Sequence, residues 1–243
     1  MTIDYLAAIE SETDRLITVA SSAADSRVPA CPDWTGTNLI WHIAYVQAHW
    51  AWITEVGPHV PDWAEQPQLD ETRDAADVAR ESNAWLLRAY RAAGEEGESY
   101  LWWDDAVGPN PDSWRRQAQE AFMHRIDAEQ CAGLDSVIDG EFAADSVAEF
   151  VDNMLGTELP AGWPESEDLL CLHLTDVGER LYVHASGTRL RRELDPQGPI
   201  TSTVSGAAAD LSLALWRRAG WQDLDFDGDL DLIETFFTSA DLS

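Results

Sequence analysis

Trp114-Arg-Arg-Gln-Ala-Gln-Glu120-Ala-Phe-Met-His124-Arg-Ile-Asp127 is the stretch on which the reading of this chain turns. Its pattern predicts a helix that begins at Pro111-Asp-Ser113, runs to about Ala132 and stops at Gly133. Glu120 and His124, four residues apart, fall on one helix face. Arg116, Asp127 and Cys131 extend the same stripe, and apolar Ala118, Ala121, Phe122 and Ile126 lie close beside it, so part of the stripe is expected to turn inward. A carboxylate and an imidazole so placed supply two ligands of a metal site if a third arrives from another helix. The candidate for that third ligand is His42 in Leu39-Ile-Trp-His-Ile-Ala-Tyr45. The competing reading is a solvated face, because Glu and His also meet at this spacing on exposed helices.

Outward from this helix the chain reads as a series of further helices. Apolar positions from Ile3 to about Ala24 recur at helical spacings. Val28-Pro-Ala-Cys-Pro-Asp-Trp34 is an extended segment with two prolines, after which Thr35 or Thr37 caps a second helix over about 36–55. That helix carries His42 and His49 seven residues apart. His42 is preferred as the ligand because His49 falls two turns further along. The loop from Pro58 to Gln68 carries His59, read as an exposed residue. A third helix is expected from about Asp70 to Ala93, ending at Gly94. The acidic, aromatic stretch from Glu95 to Asn110, with Tyr100, Trp102 and Trp103, either lines a pocket mouth or covers the bundle end. A shorter fifth helix, Asp145 to Leu155, closes a first domain placed at 1–157.

Glu158-Leu-Pro-Ala-Gly-Trp-Pro-Glu-Ser-Glu167 is rich in Pro, Gly and acids and reads as a linker. Beyond it the period changes. Leu169–Leu174, Arg180–His184, Thr188–Leu190 and Ile200–Val204 read as short strands between Gly and Asp turns. A helix over Ala207–Arg218, a turn or short strand at Leu224–Asp229 and a final helix over Leu230–Ala240 follow. The expectation is therefore an α-helical bundle followed by a smaller α+β domain at 168–243.

Composition narrows the function classes. The 243 residues hold 45 acids against 15 cations, all of them arginine, for a formal net charge of −30. Nucleic acid is excluded as a partner on this ground, since binding it rests on neutralising phosphates with cations. No apolar run reaches the ~18 residues of a membrane span, and Met1-Thr-Ile-Asp-Tyr-Leu lacks the basic start of a signal peptide, so a cytoplasmic location without membrane attachment is expected. Cys31, Cys131 and Cys171 are odd in number and widely spaced, which argues against a disulfide framework or a cysteine-rich zinc site.

Taken in order, Val28-Pro-Ala-Cys-Pro-Asp-Trp34, Leu39-Ile-Trp-His42 and Trp114 to Glu129 resemble the mycothiol-dependent maleylpyruvate isomerase family of the DinB superfamily. Ser205-Gly-Ala-Ala-Ala-Asp-Leu-Ser-Leu-Ala-Leu-Trp-Arg-Arg218 and Asp227-Gly-Asp229 resemble the sterol-carrier-like C-terminal domain of those proteins. The resemblance implies a DinB-like four-helix bundle that holds a divalent metal, zinc or nickel, through His42, Glu120 and His124. In two places the chain departs from the family pattern: Ala118-Gln119 stands for the usual Ala-His, and Arg125-Ile126-Asp127 for the usual Arg-Trp-Asp.

The same resemblance implies a metal- and thiol-dependent enzyme acting on a small electrophile, with mycothiol bound to the metal as thiolate. For a cis-enoate such as maleylpyruvate, thiolate addition makes the double bond single, rotation follows, and elimination returns the trans isomer. Arg116 is read either as holding a carboxylate of substrate or thiol, or as a surface ion pair. Asp127 is read as an acceptor that orients a ligand, or as a solvated acid. Cys131 is read as a buried thiol before a nucleophile. Arg217 and Arg218 either reach the bundle site or end their helix favourably. Three alternatives stay open: a mycothiol S-transferase, a non-catalytic binding module, and metal-dependent hydrolysis without thiol.

Overall fold

Capping chemistry and apolar stripes set out the N-terminal elements. Asp4 accepts from the Ala7 amide to start α1 (Tyr5–Ser22), whose Ile9, Leu16, Ile17 and Ala20 are buried. A short hairpin follows, β1 (Arg27–Val28) with β2 (Cys31–Thr35). Thr35 then caps α2 (Gly36–Val56): its hydroxyl accepts from the Asn38 amide while the Asn38 side chain accepts from the Thr35 amide. Of the two expected caps, Thr35 is the one used. Asp74 caps α3 (Ala75–Ala93) and Gly94 ends it. The acidic, aromatic stretch is largely a hairpin, β3 (Glu98–Leu101) with β4 (Ala106–Pro109). It delivers the chain to α4 (Asn110–Cys131), where Pro111 sits in the first turn, a position that needs no amide donor.

These residues form one compact unit, Thr2–Ser136, and the rest a second, Val137–Ser243. The computed structural model describes residues 3–103, 105–155, 158–160, 163, 169–238 and 240. Residues 156, 157, 161, 162 and 164–168, which take in much of the expected linker and the first residue of the expected second domain, lie outside the described residues.

In the first unit α1 lies against α4 and α2 against α3, and contacts between α2 and α4 and between α1 and α3 close a four-helix bundle. Leu39, Ile43, Ile53, Leu86, Phe122 and Ile126 fill its core, each contributing about 1.5–3 kcal/mol on burial. Charged groups tie α1 to α4 as well. Arg125 donates to Glu12 at 2.7 Å and to Glu129 at 2.8 Å, and Arg15 donates to Glu129 at 2.9 Å. Among the described residues no helix is long and apolar enough to cross a membrane.

The second unit begins with α5 (Gly140–Asn153). Its strands are β5 (Leu169–Leu174), β6 (Glu179–Ser186), β7 (Arg189–Glu193), β8 (Ile200–Gly206) and β9 (Asp225–Gly228), in spatial order β7-β6-β5-β8-β9. Among the described residues of this sheet, β5–β8 is the parallel pair and the other pairs are antiparallel. Helices α6 (Ala208–Leu215) and α7 (Leu230–Thr238) complete it. Leu170, Leu172, Leu174, Leu181, Val183 and Leu190 share one face of the sheet and are buried.

One boundary differs from the expectation. Helix α5 was placed with the bundle, in a first domain ending at 157, but it packs on α6, β6 and β7. The Phe150 ring meets Trp216 edge-on at 5.1 Å, and the Ser146 and Ser212 hydroxyls are bonded at 2.9 Å. Its amphipathic pattern announces a buried face without saying what buries it, and the Pro-Gly punctuation after it looked like the stronger break.

Thr35→Ala removes a side-chain cap and should lower the stability of the first unit by about 1 kcal/mol, read as a shift in its denaturation midpoint. Thr35→Ser, which keeps the hydroxyl, should restore most of the loss.

Candidate metal centre

The stripe on α4 turns inward, with Glu120 half-buried at its middle. Arg116, His124, Asp127 and Cys131 are all buried, and Asp127 has no exposed surface. From the neighbouring α2, His42 faces the middle of this stripe. The capping box at Thr35 sets where α2 begins, and two turns later His42 comes level with Glu120.

His42 Nε2 lies 3.0 Å from Glu120 Oε1, and His124 Nε2 lies 3.2 Å from the same oxygen. One ligand atom from each of the three residues falls within 4.8 Å of the others. On the far side of its ring, His124 Nδ1 is 2.8 Å from Asp127 Oδ2. That bond makes Nδ1 the proton-bearing nitrogen of a neutral His124 and leaves the Nε2 lone pair for a cation. The second carboxylate oxygen of Glu120 accepts from Arg116 Nη2. The donor set is thus two imidazole nitrogens and one carboxylate, with the carboxylate and one imidazole each held from behind, and such a set suits a borderline divalent ion such as zinc. The residues fit the expected metal.

The electrostatics follow from this packing. Burial works against the Glu120 charge, but His124 and Arg116 beside it outweigh burial and hold its carboxyl well below the ordinary value. Burial likewise works against a charged His124, yet Glu120 and Asp127 on either side of the ring raise its pKa to about 9. In the metal-free protein His124 is therefore an imidazolium at neutral pH, sandwiched between two carboxylates.

Trp34 is a member of the site that the sequence reading quoted but did not place there. Its ring centroid lies 4.7 Å from that of His42 and 6.2 Å from that of His124, so it walls both imidazoles. The available signal was its position at the end of the proline-bearing segment, one residue before the cap of α2. His49, by contrast, stands apart from the ligand cluster. It stacks on Trp63 at 5.9 Å with an interplanar angle of 13°, and burial lowers its pKa. His59 is exposed, as expected.

The Cys131 thiol donates to the Ser26 carbonyl at 3.3 Å, and burial pushes its pKa up, which disfavours the thiolate a nucleophile would need. In the second unit Arg217 donates to the carbonyl of Thr238, the last residue of α7, and to that of Ala240 just beyond it, and Arg218 donates to that of Trp216. Both bind backbone carbonyls at helix ends.

Fold and site together define a helical-bundle protein with a His₂Glu centre and an appended α+β unit. Family models give the class a name: residues 6–129 match the mycothiol maleylpyruvate isomerase N-terminal domain and residues 141–235 match the corresponding C-terminal domain. The chain belongs to the mycothiol-dependent maleylpyruvate isomerase family. The second match begins at 141, so it takes in α5, in keeping with the packing of that helix. Two solved structures are similar in fold, both of mycothiol-dependent maleylpyruvate isomerase. A single-substitution mutant superposes with a TM-score of 0.63 and another structure of the enzyme with 0.61. Each is 16% identical to this chain, with 93% of both chains covered. No curated protein matches by sequence.

A cation arriving at His124 must displace the Nε2 proton. Zinc binding at pH 7.5 should release about one proton from this residue, read by titration calorimetry in buffers of different ionisation enthalpy. Because the competing proton has a pKa of about 9, affinity should fall about tenfold for each pH unit below that value until another group titrates. Asp127→Asn should reduce the proton release and weaken zinc binding by about 10- to 100-fold.

Proposed function

We propose that this protein is a metal- and thiol-dependent isomerase of the cytoplasm, acting on a small cis-enoate electrophile of the maleylpyruvate type with mycothiol as the thiol. The observation that carries the reading is the convergence of His42, Glu120 and His124, from two helices, on one point. Family membership supports the thiol and the substrate type. A bound divalent ion would make a coordinated thiol lose its proton near neutral pH, where a free thiol is only slightly ionised.

The chain's own residues prepare that chemistry. Asp127 holds the His124 ring by Nδ1 and presents Nε2. Arg116 is buried and bonded to Glu120, so neither a surface ion pair nor a solvent-facing cation describes it. It keeps Glu120 ionised and oriented, which makes Arg116 and Asp127 positioning residues of the centre. Trp34 walls the imidazoles and limits water on that side. The buried surroundings strengthen every charge interaction at this point relative to open solvent.

His42→Ala, Glu120→Ala and His124→Ala should each lose stoichiometric zinc or nickel, measured by elemental analysis, while the helical circular-dichroism signal stays largely intact. Retention of metal by all three would place the site elsewhere. With metal bound, maleylpyruvate should turn over only when mycothiol is present, and the thiol should be recovered unconsumed. Disappearance of free thiol in step with product would instead mark an S-transferase, and turnover indifferent to thiol would mark a hydrolase.

A further inference from the structure

The second unit carries a cluster of cations that the metal centre does not use. Strands β6 and β7 form a hairpin in which His184 is opposite Arg191 and Ser186 is opposite Arg189. The connection is two residues, Gly187 and Thr188, and Gly187 takes a positive φ of 64°, a conformation that glycine adopts without strain. A two-residue turn pins the register, so these four side chains form a fixed two-by-two array on one face of the sheet. Directly opposite residues have Cβ atoms about 4.5–5.5 Å apart, and residues two apart on a strand are separated by about 6.7 Å. Leu190 and Val183, which alternate with the array, point to the buried face.

Every member of the array is a hydrogen-bond donor, and the two guanidinium groups stand on the same side. Among the described residues the side chains of Arg189 and Arg191 have no hydrogen bond or ion pair, whereas Arg192, which follows Arg191 and points to the opposite face, donates to Asp152 at 2.9 Å. Scarcity of acids does not explain this, since the chain has three for each arginine. Glu193, an acid on the array's own face, contacts His184 at 3.5 Å and makes no ion pair with either arginine. Two like charges about 6.7 Å apart on one strand face repel each other. Guarding an edge strand against pairing explains one charged side chain there, but two guanidinium groups beside an imidazole and a hydroxyl exceed that need.

We propose that this face of the β6–β7 hairpin is an oxyanion-binding site, in which Arg189 and Arg191 hold a carboxylate or phosphate group of a small metabolite while His184 and Ser186 donate beside them. Planar guanidinium groups match both anions in bidentate geometry. At physiological ionic strength charges beyond about 8 Å are screened, so the array acts on a nearby anion despite the net charge of the whole chain.

The test titrates the full-length protein with inorganic phosphate and, separately, with succinate at constant ionic strength, following the His184 Cε1–Hε1 resonance by NMR. Saturable movement with phosphate alone assigns a phosphate ligand, and with succinate alone a carboxylate ligand. Either result supports the site, as does saturation by both. Arg189→Gln and Arg191→Gln should each weaken binding by about three- to tenfold, and the double variant should abolish it. Arg180→Gln, on the same face but about 13 Å from His184 along β6, should leave binding unchanged and serves as the folded control. A resonance that responds linearly to every anion, chloride included, or a double variant that binds like the native protein, overturns the proposal.

Discussion

A carboxylate largely enclosed between helices cannot keep its charge without compensation, and Glu120 meets that constraint three times over. Two imidazoles reach one of its oxygens and a guanidinium reaches the other. Removing any one partner would leave the group partly uncompensated in surroundings where an unpaired charge costs several kcal/mol. The helices that supply these partners are thereby held in one register. Arg116 and His124 flank Glu120 by one turn on α4, and His42 fixes the height of α2 against them.

The same logic recurs below the site. Arg125 and Glu129 are buried on α4 and draw in Glu12 and Arg15 from α1. Helix α4 is therefore lined with charged groups on more than one side while lying in the centre of the bundle, and nearly all its polar residues are turned towards neighbours. Such a helix has little apolar stripe of its own to advertise. Its burial is achieved by pairing as much as by hydrophobic contact, so a purely hydrophobic reading of the sequence underestimates how deep it sits.

The charges of the centre already compensate one another. His124, as imidazolium, fills the space between Glu120 and Asp127 with a positive charge that a divalent ion would replace. Proton and metal thus compete for one electrostatic position, and the two carboxylates that raise the His124 pKa also make the site attractive to a cation.

The sequence by itself determined the helical bundle, the α+β unit after it and the three candidate ligands. Helical period, caps and the four-residue spacing of Glu120 and His124 are local properties, and His42 followed from the order of motifs. Only the tertiary structure decided which unit owns α5, that Arg116 turns to Glu120 and not to solvent, and that Trp34 walls the imidazoles. These depend on which surfaces meet, and an amphipathic helix or a lone tryptophan carries no label for its partner. The stretch from Trp114 to Asp127 shows the division: its spacing places Glu120 and His124 on one face, but only packing against the neighbouring elements, with α2 bringing His42, turns that face from a solvated stripe into an enclosed cluster.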